Sequence, residues 1–202
     1  MALRVQPFDR SLAQLPRFIE AASGRSETAG GMVAAGEQGV ELVGPFPAFT
    51  ADPRKIASGD WGGVEPSGWR ALARRDGEPV GLVGIVEMGE ELSFSLRDAE
   101  AASAFAMTLD LALNLKSGDG DYEVRWLALP AIYLTALWLK GAEDRFLPTR
   151  AGSAERSAPE FLSRDQMEKL AAQLVEHASR RPQGGSERAF AADSDEDMRS
   201  GL

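Results

Sequence analysis

The chain has no cysteine, one histidine and two tyrosines among 202 residues. The first absence removes disulfide frameworks, thiolate metal sites, iron–sulfur clusters and cysteine nucleophiles together, and it suits a reducing, cytoplasmic setting. The single histidine, His177, cannot build a histidine metal site or a Ser-His-Asp triad within the central part of the chain. It falls beside the apolar stripe of a C-terminal helix and reads as a surface or boundary residue. No apolar run is long enough to cross a membrane. The longest, Trp126 to Leu139, is fourteen residues with charges at both ends, whereas a spanning helix needs about 20. The start, "MALRVQPFDR", lacks the apolar core of a secretory signal.

Basic charge is also scarce. The formal net charge is −9, and most of the excess is central: residues 40–149 hold ten basic and seventeen acidic side chains. Such a surface repels phosphate backbones and anionic lipid, which argues against nucleic acid and membranes as partners and for another protein or self-association. The pairing of Arg74 and Arg75 with Trp61 and Trp69 therefore reads as core aromatics beside solvated arginines. No glycine-rich phosphate loop is present, either with Gly-Lys-Ser/Thr or as G-x-G-x-x-G after a strand.

Periodicity divides the chain into four parts. Residues 1–39 hold a short helix, with Leu12, Leu15, Phe18, Ile19 and Ala22 at helical spacing, and a glycine-rich link. Residues 40–149 form the core domain. Residues 150–181 are a linker and an amphipathic helix, and residues 182–202 a disordered acidic tail. In the core, "VELVGPFPAFT" is a strand interrupted by Pro45 and Pro47, expected at an edge or at a strand end. A loop containing "GDWGG" follows. Trp69–Arg75 and Val80–Met88 flank Asp76-Gly77, a strong hairpin signal, and Gly81 and Gly84 imply a bulge or close packing. "ELSFSL" adds a strand. An alanine-rich helix follows over 98–116, capped by Ser95 or Asp98 and stopped near Gly118. "RFLPT" is a short strand ended by Pro148. Ser163 and Gln166 have capping-box spacing ahead of the stripe Met167, Leu170, Ala171, Leu174, Val175 and Ala178.

"RWLALPAIYLTALWLK" is a long strand, or two strands meeting at Pro130; a helix started by Pro130 is the rival. Strand periodicity sets Ile132, Leu134, Ala136 and Trp138 on one side and Tyr133, Thr135, Leu137 and Leu139 on the other. Both sides are apolar, so helices or a second chain must cover them.

The expected fold is α+β: an antiparallel sheet of about five to six strands packed by the alanine-rich helix. The hairpin "RRDGEPVGLVGIVE" resembles the central strands of the acetyl-CoA-binding acetyltransferase family, but the pyrophosphate loop of that family is missing after the strand, so neither its activity nor its residues carry over. Two carboxylate groups, Glu87/Glu90/Glu91 and Asp119/Asp121/Glu123, are the material for acid–base chemistry. They read more simply as solvated turn residues, without the spacing of a calcium loop. With no nucleophile–base set, cofactor or metal expected, the sequence reads as a non-enzymatic interaction protein. Tyr133, Thr135, Leu137, Leu139, Met167, Leu170 and Leu174 are the partner-binding candidates. The alternative is a small enzyme or ligand-binding domain using the clustered carboxylates.

Overall fold

The structure is a computed structural model and describes residues 3–13, 15, 17–19, 40–97, 99–114, 121–151 and 160–180. It is a sheet-rich α+β fold. Nine strands, rather than five to six, form one mostly antiparallel sheet among these residues: β1 (Leu3–Arg4), β2 (Glu41–Thr50), β3 (Glu65–Arg75), β4 (Glu78–Met88), β5 (Glu91–Arg97), β6 (Tyr122–Leu129), β7 (Leu134–Lys140), β8 (Arg145–Ala151) and β9 (Leu162–Ser163). The helices are α1 (Pro53–Ala57), α2 (Ala99–Leu113) and α3 (Arg164–Arg180). The strand order is β5-β4-β3-β2-β6-β7-β8-β9, with β1 beside β6. The excess over expectation comes from β1 and β9, two residues each, which are too short to leave a periodic signal.

Local chemistry accounts for most elements. Asp76 (φ 55) and Gly77 (φ 83) turn β3 into β4 through the mirror-image turn that matches strand twist. Ser163 and Gln166 reciprocally cap α3: the Ser163 amide donates to Gln166 Oε1 at 2.8 Å, and the Gln166 amide to Ser163 Oγ at 3.3 Å. Pro130 opens a single turn of 3-10 helix, Pro130–Ile132, between β6 and β7. The long apolar stretch is thus two strands, and they pair with each other as a hairpin.

Other expectations need correction. The proline-bearing β2 is central, not an edge, and both prolines lie inside the strand rather than at its end. Its pairing with β3 shifts register between Val43 and Phe46, across Gly44-Pro45, and it meets β6 only from Ala48 onward. Both prolines therefore lie where no second ladder needs their missing N–H. Pro148 does not end β8, because a bulge opposite Thr135/Ala136 absorbs it and the strand reaches Ala151. Ser95 is not a helix cap but pairs with Gly84 within β5. The loop ahead of "GDWGG" contains α1, capped by Asp52, whose side chain accepts from the Arg54 amide at 2.8 Å. Asp98, Gly118, the glycine-rich link over 23–38, the linker over 152–159 and the tail over 182–202 lie outside the described residues.

The sheet curls. Helix α2 touches β3 and β4 as well as β7 and β8. In a flat sheet β4 and β8 would stand about 24 Å apart at ~4.8 Å per strand, and a helix is only about 10–12 Å wide. The sheet therefore wraps α2 in a trough. The trough core joins Phe46, Leu72 and Leu82 to Trp126, Leu137 and Leu139 around Phe105 of the helix. On the outer face, Ile56, Met167 and Ala171 cover Leu134, Ala136, Trp138 and Phe146, while Leu15 and Ile19 cover Ala71, Val83 and Ile85. The two sides expected for residues 132–139 are thus two separate core layers, and helices of the chain cover both. No helix among the described residues is long and apolar enough to cross a membrane.

Candidate functional site

The seven partner-binding candidates divide among three places. Leu137 and Leu139 lie beneath α2 and are wholly buried. Met167 is buried on the outer face, where Leu170 and Leu174 pack half-buried beside it. These five side chains hold the fold together. Tyr133 and Thr135 instead come together at the open end of the trough, on the wall of a cavity of about 500 Å³.

The cavity exists because α2 does not fill the trough to its end. One wall is Leu82, Leu96 and Arg97 from β4 and β5. The opposite wall is Trp126, Pro130, Tyr133, Thr135 and Thr149 from the β6–β7–β8 side. Glu100, Ala101 and Ala104, from the first turns of α2, close the inner end. The small alanines let the helix sit close to the sheet while leaving space ahead of it.

Each wall has its own chemistry. The hydroxyls of Thr135 and Thr149 bond across β7 and β8 at 2.7 Å, and Thr149 also donates to the Thr135 carbonyl at 3.2 Å. That pairing satisfies two polar groups on a largely apolar surface. Tyr133 follows the 3-10 turn with φ 53, a left-handed conformation uncommon for a bulky residue, and the residue is 72% exposed at the rim.

Across the trough, Arg70 of β3 pairs with Gly84 of β4, and Gly84 with Ser95 of β5. A Cβ on Gly84 would lie 2.5 Å from Ser95 Oγ and 2.9 Å from Arg70 Nη1. The glycine thus leaves a floor over which Arg70 reaches toward β5. Arg70 Nη1 donates to the Trp69 carbonyl at 2.9 Å. Burial pushes the Arg70 guanidinium below the usual arginine range, and the neighbouring Arg97 charge pushes the same way. Neither arginine has a carboxylate within ion-pairing distance among the described residues.

The carboxylate groups do not gather here. Asp121 pairs with Arg4 at 2.7 Å and Glu123 with Arg125 at 2.9 Å; Asp119 lies outside the described residues. Glu87, Glu90 and Glu91 stay exposed at the β4–β5 turn, with Glu87 accepting from Trp69 Nε1 at 3.2 Å. His177 is exposed. Trp61 lies against Phe146 and under Arg164 on the outer face, and its Nε1 donates to Glu168 Oε1 at 2.6 Å.

Sequence reasoning missed Arg70 and Arg97. A two-residue turn at Asp76-Gly77 sets Arg75 against Glu78, and straight counting then places Arg70 opposite Val83. A bulge between Ala73 and Arg74 moves it to Gly84. Comparison with protein-family models, with curated proteins and with solved structures returns no match for this chain.

Proposed function

We propose that the chain is a non-enzymatic protein-binding module, an adaptor, accessory subunit or chaperone- or immunity-like binder, that engages another polypeptide at the open end of the trough. Tyr133 is the observation that carries this reading. A bulky residue in left-handed backbone raises the energy of the fold, and an aromatic residue left 72% exposed returns little of it. Aromatic rings projecting beside an apolar cavity are what partner surfaces use as anchors. The cavity, at about 500 Å³, has room for a few side chains of a partner. A second apolar exposure on α2, at Met107 and Leu113, supports the same class of function. The reading includes a cytoplasmic setting, which the absence of cysteine supports.

Affinity purification of the tagged full chain from its native host tests the proposal, run beside Tyr133→Ala, Glu87→Gln and Asp121→Asn. The expected result is a partner retained by the wild type and both carboxylate variants, and weakened about tenfold or more by Tyr133→Ala. Light scattering separates a second copy of the chain from a different protein. A monomer that brings down no protein but carries a small molecule would overturn the reading.

A further inference from the structure

Strand β5 is the outermost strand at one side of the sheet among the described residues. It pairs with β4 over its whole length, from Leu82↔Arg97 to Met88↔Glu91, and no strand among the described residues pairs with its other side. The opposite edge is closed differently. There β9 is two residues long and runs directly into α3, the usual protection against unwanted pairing. Strand β5 has seven residues and strict alternation: Glu91, Ser93, Ser95 and Arg97 are exposed, while Leu92, Phe94 and Leu96 are half-buried on the layer under Leu15 and Ile19.

The exposed row lies on the trough face and ends at the cavity, where Arg97 forms part of the wall. Arg70, two strands away, extends over the Gly84 floor near Ser95 Oγ, close enough to Arg97 for the two charges to repel. Two guanidinium groups with no carboxylate partner among the described residues stand together in a chain of net charge −9. The whole-chain charge suits a basic partner, but at this end of the trough two guanidinium groups face one carboxylate, Glu100 of α2, and local charge decides what docks.

We infer that an extended, acidic segment of a protein partner adds to the outer edge of β5, placing an Asp or Glu carboxylate between Arg97 and Arg70. Backbone pairing along the free edge supplies the register. Alternation then sets the polar side chains of the segment beside Ser93, Ser95 and Arg97, and its apolar ones beside Leu92, Phe94 and Leu96. The carboxylate receives the charge-assisted hydrogen bonds that the paired arginines offer. The inference rests on the protein-binding reading and names the chemistry of the partner.

Three fluorescein-labelled peptides test it on the full chain, alternating valine with glutamate, glutamine or lysine. The valine–glutamate peptide is expected to bind, the glutamine version about tenfold more weakly, and the lysine version not at all. Arg97→Gln should erase the preference for glutamate over glutamine. Arg97 is exposed and pairs with β4 through its backbone, so the variant keeps the fold, which circular dichroism checks. Amide hydrogen exchange in residues 91–97 should slow when the glutamate peptide binds. Equal binding of the glutamate and glutamine peptides, no binding of either, or unchanged exchange in β5 would overturn the inference. A native partner lost with Tyr133→Ala, but indifferent to Arg97→Gln and silent in β5 exchange, would remove the added strand and leave the binding module standing.

Discussion

Gly68 and Gly77 both have positive φ, +104 and +83, but their surroundings set very different tolerances. At Gly77 nothing lies within 4 Å of where an alanine methyl would stand, so Gly77→Ala carries only the left-handed backbone cost of about 1 kcal/mol. At Gly68 that position lies 2.3 Å from the Ile85 carbonyl oxygen, a backbone atom held in the β3–β4 ladder. Gly68→Ala should therefore cost about 3 kcal/mol or more, conformational strain and overpacking together. Urea denaturation of the two variants checks the contrast, and equal losses would show that the ladder yields at Ile85. Trp138 is a second single-residue case. It lies between Phe49, Phe146 and Trp61, with Arg125 and Lys140 over its ring, and its Nε1 has no hydrogen-bond partner among the described residues. Trp138→Phe removes the orphaned donor along with some volume, so it should cost clearly less than Phe146→Ala, for which about 3–5 kcal/mol is expected.

Among the elements, α3 and β2 mark the limits of what the sequence shows. The α3 cap was legible because both partners lie three residues apart and their geometry is local. Ser163→Ala should cost about 1 kcal/mol in urea denaturation, and a neutral result would mean that the first turn of α3 is held by its packing alone. The Asp-Gly hairpin was legible for the same reason. Strand β2 was not. A proline excludes a strand interior only where a ladder needs its N–H, and that depends on where β6 begins to pair, a fact set more than seventy residues away. The site shows the same division. The alternation that brings Tyr133 and Thr135 to one side could be read directly, whereas the Arg70–Gly84–Ser95 row depends on a bulge with no sequence signature. Leu137 and Leu139 share the alternation of Thr135 but lie under α2, because periodicity gives the side of a strand and not what covers it.

At the scale of the molecule, the sheet is two antiparallel blocks, β5-β4-β3-β2 and β6-β7-β8-β9, joined by a parallel seam between Ala48–Thr50 and Trp126–Ala128. Beyond the seam ladder, the Ala51 amide donates to the Ala128 carbonyl at 3.2 Å and Thr50 Oγ1 to the same oxygen at 3.3 Å. The larger tie is Phe105. Its ring meets Phe46 of the first block at 5.6 Å and Trp126 of the second at 5.1 Å, both edge-on. Phe105→Ala should cost about 3–5 kcal/mol and should also loosen the union of the blocks, so that fluorescence and circular dichroism no longer report one coincident unfolding transition. Retained coincidence would assign the union to the backbone seam instead.

The seam has a mechanical consequence for the cavity. Leu82, Leu96 and Arg97 belong to the first block, and Trp126, Tyr133, Thr135 and Thr149 to the second. The opening is therefore a jaw, with the seam as its pivot and Phe105 as its wedge. A guest held by both lips would add a further tie between blocks otherwise joined by the seam and by the core around Phe105. Trp126 belongs to both the cavity wall and the seam, so the grip on such a guest would be registered as rigidity of the pivot.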